Sequence, residues 1–204
     1  MEGTRMMNKC FVLCLVILLT GSMAFAHDVD IPPWRGEPGS TNQVWEFSDP
    51  ITTPQPDAVI NPYGDPTLRV NTPYGWSNGA WPLSGEMDIY IPNNPIVDGY
   101  KDIWIQLTWM PGDNDPYLPD QPLVAVAPFS NMTMSRTDNN VIVPGWTHST
   151  FKITIWPNPA EEWITIKGDI IVDELVIDTK CVPEPATMAL LGLGGLALMR
   201  KRRI

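Results

Sequence analysis

Along the middle of the chain, apolar positions recur at every second residue, the period of a half-buried β-strand. Gly85–Pro92 puts Met87, Ile89 and Ile91 on one face and Asp88 and Tyr90 on the other. Asp102–Met110 turns Ile103, Ile105, Leu107 and Trp109 inward and Trp104, Gln106 and Thr108 outward. Phe151–Trp156 and Trp163–Lys167 alternate in the same way around Pro157–Glu162, which predicts a hairpin pairing Ile155 with Ile164 and setting Trp156 against Trp163. Strands are also expected at Val44–Phe47, Thr67–Asn71 and Asn131–Arg136. Leu123–Ala127 is continuous and small enough for a buried strand, and Ile170–Thr179 should point Leu175 and Ile177 inward. The 22 prolines and 15 glycines interrupt any helical period. His27–Thr41 reads as an irregular arm and Ser48–Pro66 as a long surface loop. About eight short strands around one core predict an all-β fold, an antiparallel β-sandwich of jelly-roll type.

The two ends follow other patterns. Arg5 and Lys9 precede the apolar run Cys10–Leu19, and Ala24 and Ala26 offer small residues before His27. This is the pattern of a secretory signal peptide cut by signal peptidase between Ala26 and His27; the run of about ten residues is too short to span a bilayer. At the other end, the uncharged run Ala186–Met199 would cover roughly 21 Å as a helix, less than a hydrocarbon core of about 30 Å. The cations Arg200, Lys201, Arg202 and Arg203 follow it and should stay on the cytoplasmic side. Before it, Val182, Pro183, Glu184 and Pro185 favour extended backbone, the form a protease or transpeptidase needs. The chain therefore divides into a signal peptide (1–26), an exported sandwich (27–181) and a C-terminal sorting segment (182–204).

That C-terminal segment, V-P-E-P followed by a short glycine-containing apolar run and a basic cluster, resembles the PEP-CTERM sorting signal of exported proteins in Gram-negative-type bacteria. The same tail is also labelled an ice-binding protein C-terminal domain, but the middle lacks Thr-x-Thr arrays at strand spacing. The resemblance implies transient membrane anchoring, cleavage beside Pro183-Glu184-Pro185 by a membrane-embedded exosortase, and delivery to the cell surface or matrix of a polysaccharide producer. Asp173–Asp178 is faintly similar to the last strand of galactose-binding-like jelly rolls, which implies the architecture of a carbohydrate-binding module and names no ligand.

Charge narrows the partners. Of 23 acidic residues only Glu2 and Glu184 lie in the ends, whereas six of the 13 cations do, so the exported part is more acidic than the overall −10. A nucleic-acid partner is excluded, because phosphate binding needs a basic surface. Cys10 and Cys14 leave with the signal peptide, so Cys181 has no internal disulfide partner; it is a tolerated thiol, an intermolecular bridge or an attachment point.

Catalytic chemistry is hard to assemble. His148 sits beside Ser149 in what reads as a solvated loop, and no nucleophile elbow or zinc-protease motif occurs. A secreted hydrolase ranks last, and the expectation is a protein that is not an enzyme. Asp113, Asp115 and Asp120 share a short loop that could hold a structural calcium, although a solvated turn explains the same residues; no other cofactor is expected. The outward parity of Tyr90, Trp104, Trp156 and Trp163, with Trp76 and Trp81 in a nearby loop, suggests stacking on sugar rings. Two-sided burial or cross-strand pairing are the alternatives. The function expected is a non-catalytic structural or adhesive role associated with extracellular polysaccharide, with a lectin-like module as the alternative.

Overall fold

The computed structural model describes residues 29–94, 99–113, 115–127, 131–140 and 144–183. The signal peptide with its cleavage residues Ala24, Ala26 and His27, and the sorting segment from Glu184 onward with its expected helix, lie outside them. Among the described residues there is no helix, and eleven strands form two sheets. The strands are β1 (Ser40–Trp45), β2 (Ala58–Ile60), β3 (Thr67–Asn71), β4 (Trp81–Pro82), β5 (Gly85–Pro92), β6 (Tyr100–Pro111), β7 (Leu123–Ala127), β8 (Met132–Asn140), β9 (Thr147–Ile155), β10 (Glu161–Gly168) and β11 (Ile170–Val182).

The larger sheet runs β2-β1-β11-β6-β9-β8, with β4 added on β11; the smaller runs β3-β5-β10-β7. Neighbours pair antiparallel, as an all-β sandwich requires when its connections are short. The alternation read from the sequence decides which face each strand buries. Ile103, Ile105, Leu107, Ile153, Ile155, Leu175 and Ile177 from one sheet meet Met87, Ile89, Ile91, Ile164 and Ile166 from the other in a single core. Trp45 and Trp109 also lie in it, as expected.

Three sequence expectations need correction. First, β9 and β10 do not form a hairpin. β9 pairs with β6 and β8 in the larger sheet, β10 with β5 and β7 in the smaller, and the segment between them crosses the sandwich. A period of two fixes which face a strand buries but not its partner, and each strand pairs on both sides with strands other than the expected one. Second, β7 is an edge strand in which Leu123, Ala125 and Ala127 are exposed and only Val126 is buried. Third, His148 is no loop residue: it lies in β9, nearly inaccessible, with Nδ1 3.2 Å from Thr108 Oγ1 and Nε2 3.3 Å from Gln106 Oε1. Gln106 and Thr108 are buried with it, although their parity faces them away from the core.

The arm at residues 29–39 helps explain that burial. Arg35 grips Asp178 through two hydrogen bonds of 2.6 and 2.5 Å, Asp30 donates its backbone N–H to Gln106 and pairs with Lys152, and Trp34 packs edge-on to Trp104. The outer face of the larger sheet is thereby partly covered. The outer face of the smaller sheet carries exposed and half-buried side chains.

Candidate functional site

On the smaller sheet, register sets outward side chains in rows across three strands. Thr67, Tyr90 and Trp163 form one row, Arg69, Asp88 and Thr165 the next, and Asn71, Glu86 and Lys167 the third. Each is a consequence of period two: the residues between them, such as Leu68, Ile89 and Ile164, fill the core. Trp163 is 48 % exposed, and its ring centroid lies 4.8 Å from that of Tyr90 at a 45° tilt. The indole N–H donates to Glu161 at 3.4 Å. Burial pushes the Tyr90 phenol above its ordinary value, and the Glu161 carboxylate adds to that.

The polar groups around the rings are partly organised. Thr165 donates to Asp88 at 3.0 Å, and Lys167 pairs with Glu86 at 2.7 Å. The segment after Thr52 makes a wall, held because Val70 donates its N–H to the Thr52 carbonyl. Thr53, Gln55, Thr67, Arg69, Asp88 and Trp163 line an open cavity of about 610 Å³. An apolar ring face beside hydroxyl, amide, carboxylate and guanidinium groups is what a sugar requires: stacking for its C–H face and hydrogen bonds for its hydroxyls.

The other stacking candidates separate. Trp104 lies on the opposite sheet, covered by Trp34 on its edge and by the Lys152 ammonium 3.7 Å from its centroid. Trp156 is 52 % exposed but follows β9, away from Trp163 in sheet terms. Trp76 packs against the core and spends its indole N–H on the Phe47 carbonyl, 2.7 Å away. Trp81 is buried at 3 % exposure, so the expectation that it stacks on sugar fails: β4 pairs with β11 and carries it inside. The structure brings Tyr90 and Trp163 into ring contact.

Asp113, Asp115 and Asp120 line one open recess together with Asp169. Asp169 accepts from Ser84 and from the Asp115 N–H, and Asp115 accepts the Tyr117 N–H in a tight turn. Among the described residues no three acidic, histidine or cysteine groups converge to hold a metal ion. Burial, with the charge of Glu46 adding to it, raises the Asp173 and Glu174 carboxyls, whereas Asp178 pairs with Arg35.

Strand β11, flanked by β1 and β6, runs to Val182 opposite Tyr100 and leads into Pro183. Its exit is tight: a Cβ on Gly99, where φ is +108°, would sit 2.0 Å from the Val182 carbonyl oxygen. Residues 182–203 match the PEP-CTERM protein-sorting motif. The PEP-CTERM motif implies processing by exosortase and sorting to the cell surface or the extracellular space. No curated protein matches the chain. The PEP-CTERM motif thus begins on the last residue of a core strand, with no linker between it and the fold.

Proposed function

We propose that this chain is a non-catalytic adhesive protein of the cell surface or matrix, holding extracellular polysaccharide on the outer face of its smaller sheet. The observation that carries this reading is the Tyr90–Trp163 pair, partly in water and bordered by Arg69, Asp88 and Thr67. A half-exposed tryptophan tilted against a tyrosine keeps apolar area available that a purely structural face would bury. The non-catalytic part is supported by the use made of His148 and Ser149. The first is held between Thr108 and Gln106; the second donates to Asp138 at 2.5 Å and accepts the Trp109 indole N–H. Titrating the exported protein with the producer's own polysaccharide tests the reading. Saturable binding that is lost in Trp163→Ala supports it. Absence of binding, or binding unchanged by that substitution, would overturn it.

A further inference from the structure

At the end of the sandwich where β5 stops and β6 starts, the core contains an amine, a carboxamide and a carboxyl group in contact. Lys101 is fully buried, as is Glu162, and Asn93 is 6 % exposed. Lys101 Nζ lies 2.5 Å from Asn93 Oδ1 and 3.0 Å from Glu162 Oε1. We propose that Lys101 and Asn93 join through an intramolecular amide bond, Nζ to Cγ, with Glu162 as proton carrier and ammonia as leaving group.

Three features of the geometry support this chemistry. The nucleophile is close: with a C=O bond of about 1.23 Å, Nζ is no more than about 3.7 Å from Asn93 Cγ. The electrophile is polarised: Asn93 Oδ1 accepts from Lys101 Nζ, from Cys181 Sγ at 3.0 Å and from the Asn94 N–H at 2.7 Å. Donors already aimed at that oxygen are what stabilises the oxyanion of a tetrahedral intermediate. The departing nitrogen is held in place, since Nδ2 donates to Asn158 Oδ1 at 3.0 Å and to the Pro159 carbonyl at 2.5 Å.

Glu162 is suited to its part. Neither of its oxygens has a hydrogen bond of good geometry, although Lys101 is within ion-pair distance. Burial, the largest effect, outweighs the pull of Lys101 and raises its pKa to about 7, so it can take a proton and return it near neutrality. The ammonium proton passes to Glu162, and the neutral amine attacks Cγ. Glu162 then passes its proton to Nδ2, which leaves as ammonia, and takes up the proton shed by the attacking nitrogen, so that it ends as the neutral acid beside a new amide. No oxidant or other reactant is consumed. A buried ion pair, which is expensive to desolvate, becomes two neutral groups. Asn93 and Lys101 are near in sequence, so the bond restricts the unfolded chain little. Its effect is to tie the smaller sheet to the larger next to Cys181, where β11 approaches the sorting motif.

Peptide mapping of the folded, exported protein by mass spectrometry tests this directly. The expected result is one cross-linked species containing both Asn93 and Lys101, lighter by one ammonia (about 17 Da), with no tryptic cut after Lys101. Lys101→Arg and Glu162→Gln should each abolish the loss. Recovery of unmodified Asn93 and Lys101 peptides from the wild-type protein would overturn the proposal, whether or not the variants fold. So would a loss of water instead of ammonia, which would place the bond on Glu162. Fragment ions that place the linkage on Cys181 instead of Lys101 would overturn it equally.

Discussion

Truncating Trp163 to alanine removes the stacking surface while leaving the core behind it, Ile164 and Ile166, untouched. Polysaccharide binding should weaken by at least about tenfold. Unfolding free energy should change by no more than about 1 kcal/mol, because the side chain is half in water already; chemical denaturation checks this. Glu174 makes a different kind of prediction. Burial, then the charges of Asp173 and Glu46, push its carboxyl up from 4.5 to about 7, against a hydrogen bond from Thr108. The folded protein therefore holds a proton that the unfolded chain releases near pH 4.5. Stability from this group is complete below that value and is lost as pH rises through 7. Denaturation midpoints should fall between pH 5 and pH 8, and Glu174→Gln should flatten the part of the decline that Glu174 contributes. An unaltered slope in that variant would refute the assignment. In an uncrosslinked chain Glu162 would act in the same direction.

At the scale of elements, the Arg35–Asp178 fork of hydrogen bonds holds the arm at residues 29–39 to the larger sheet together with the Asp30 and Trp34 contacts. Asp178 is fully buried in β11, and burial raises its pKa despite Arg35 and Asn42. Arg35→Ala leaves that carboxyl with Asn42 as a remaining partner, 3.0 Å away, and should destabilise the fold by about 2 kcal/mol. Combining it with Asp178→Asn should restore part of the loss, because the uncompensated charge is then gone. The same measurement should show Trp104 fluorescence shifting to the red as the Trp34 edge and the arm lift from it. The hairpin expected between β9 and β10 failed at this scale too. Both strands were recognised with the correct inward residues, but their partners lay far along the chain.

For the whole molecule, the sorting motif and the fold share a boundary inside β11. Cleavage beyond Val182 leaves every strand of the described residues intact, so removing the tail should not change the melting temperature of the sandwich. Replacing Pro183-Glu184-Pro185 with alanines in an exosortase-bearing host should leave the apolar tail attached and the protein in the membrane fraction, with the same melting temperature. Intact mass after export checks the tail, and release of the variant into the medium would contradict the sorting role. The candidate sugar face and the exit of β11 belong to different sheets, so a chain held by its tail can still present Tyr90 and Trp163.

Parity was the most informative signal the chain carried, and it carried more than expected. Asn93 shares the inward parity of Met87, Ile89 and Ile91; Lys101 that of Ile103 and Ile105; Glu162 that of Ile164; Cys181 that of Leu175 and Ile177. The alternation thus placed all four in the interior, yet polar identity argued for solvent at the strand ends, and nothing local showed that they meet. Tyr90 and Trp163 were legible as outward residues, but Arg69, Asp88 and the wall at Thr53 and Gln55 were not legible as their neighbours. Trp81 and His148 were misplaced because a short loop sequence does not reveal that its backbone will pair with a sheet. By itself the sequence determined the β-sandwich, the face each main strand buries and the sorting motif. These depend on period, composition and contiguous residues. Strand partners, the aromatic pair and the Lys101–Asn93–Glu162 cluster were decided only by the tertiary structure, because each joins residues that are adjacent across strands and not along the chain.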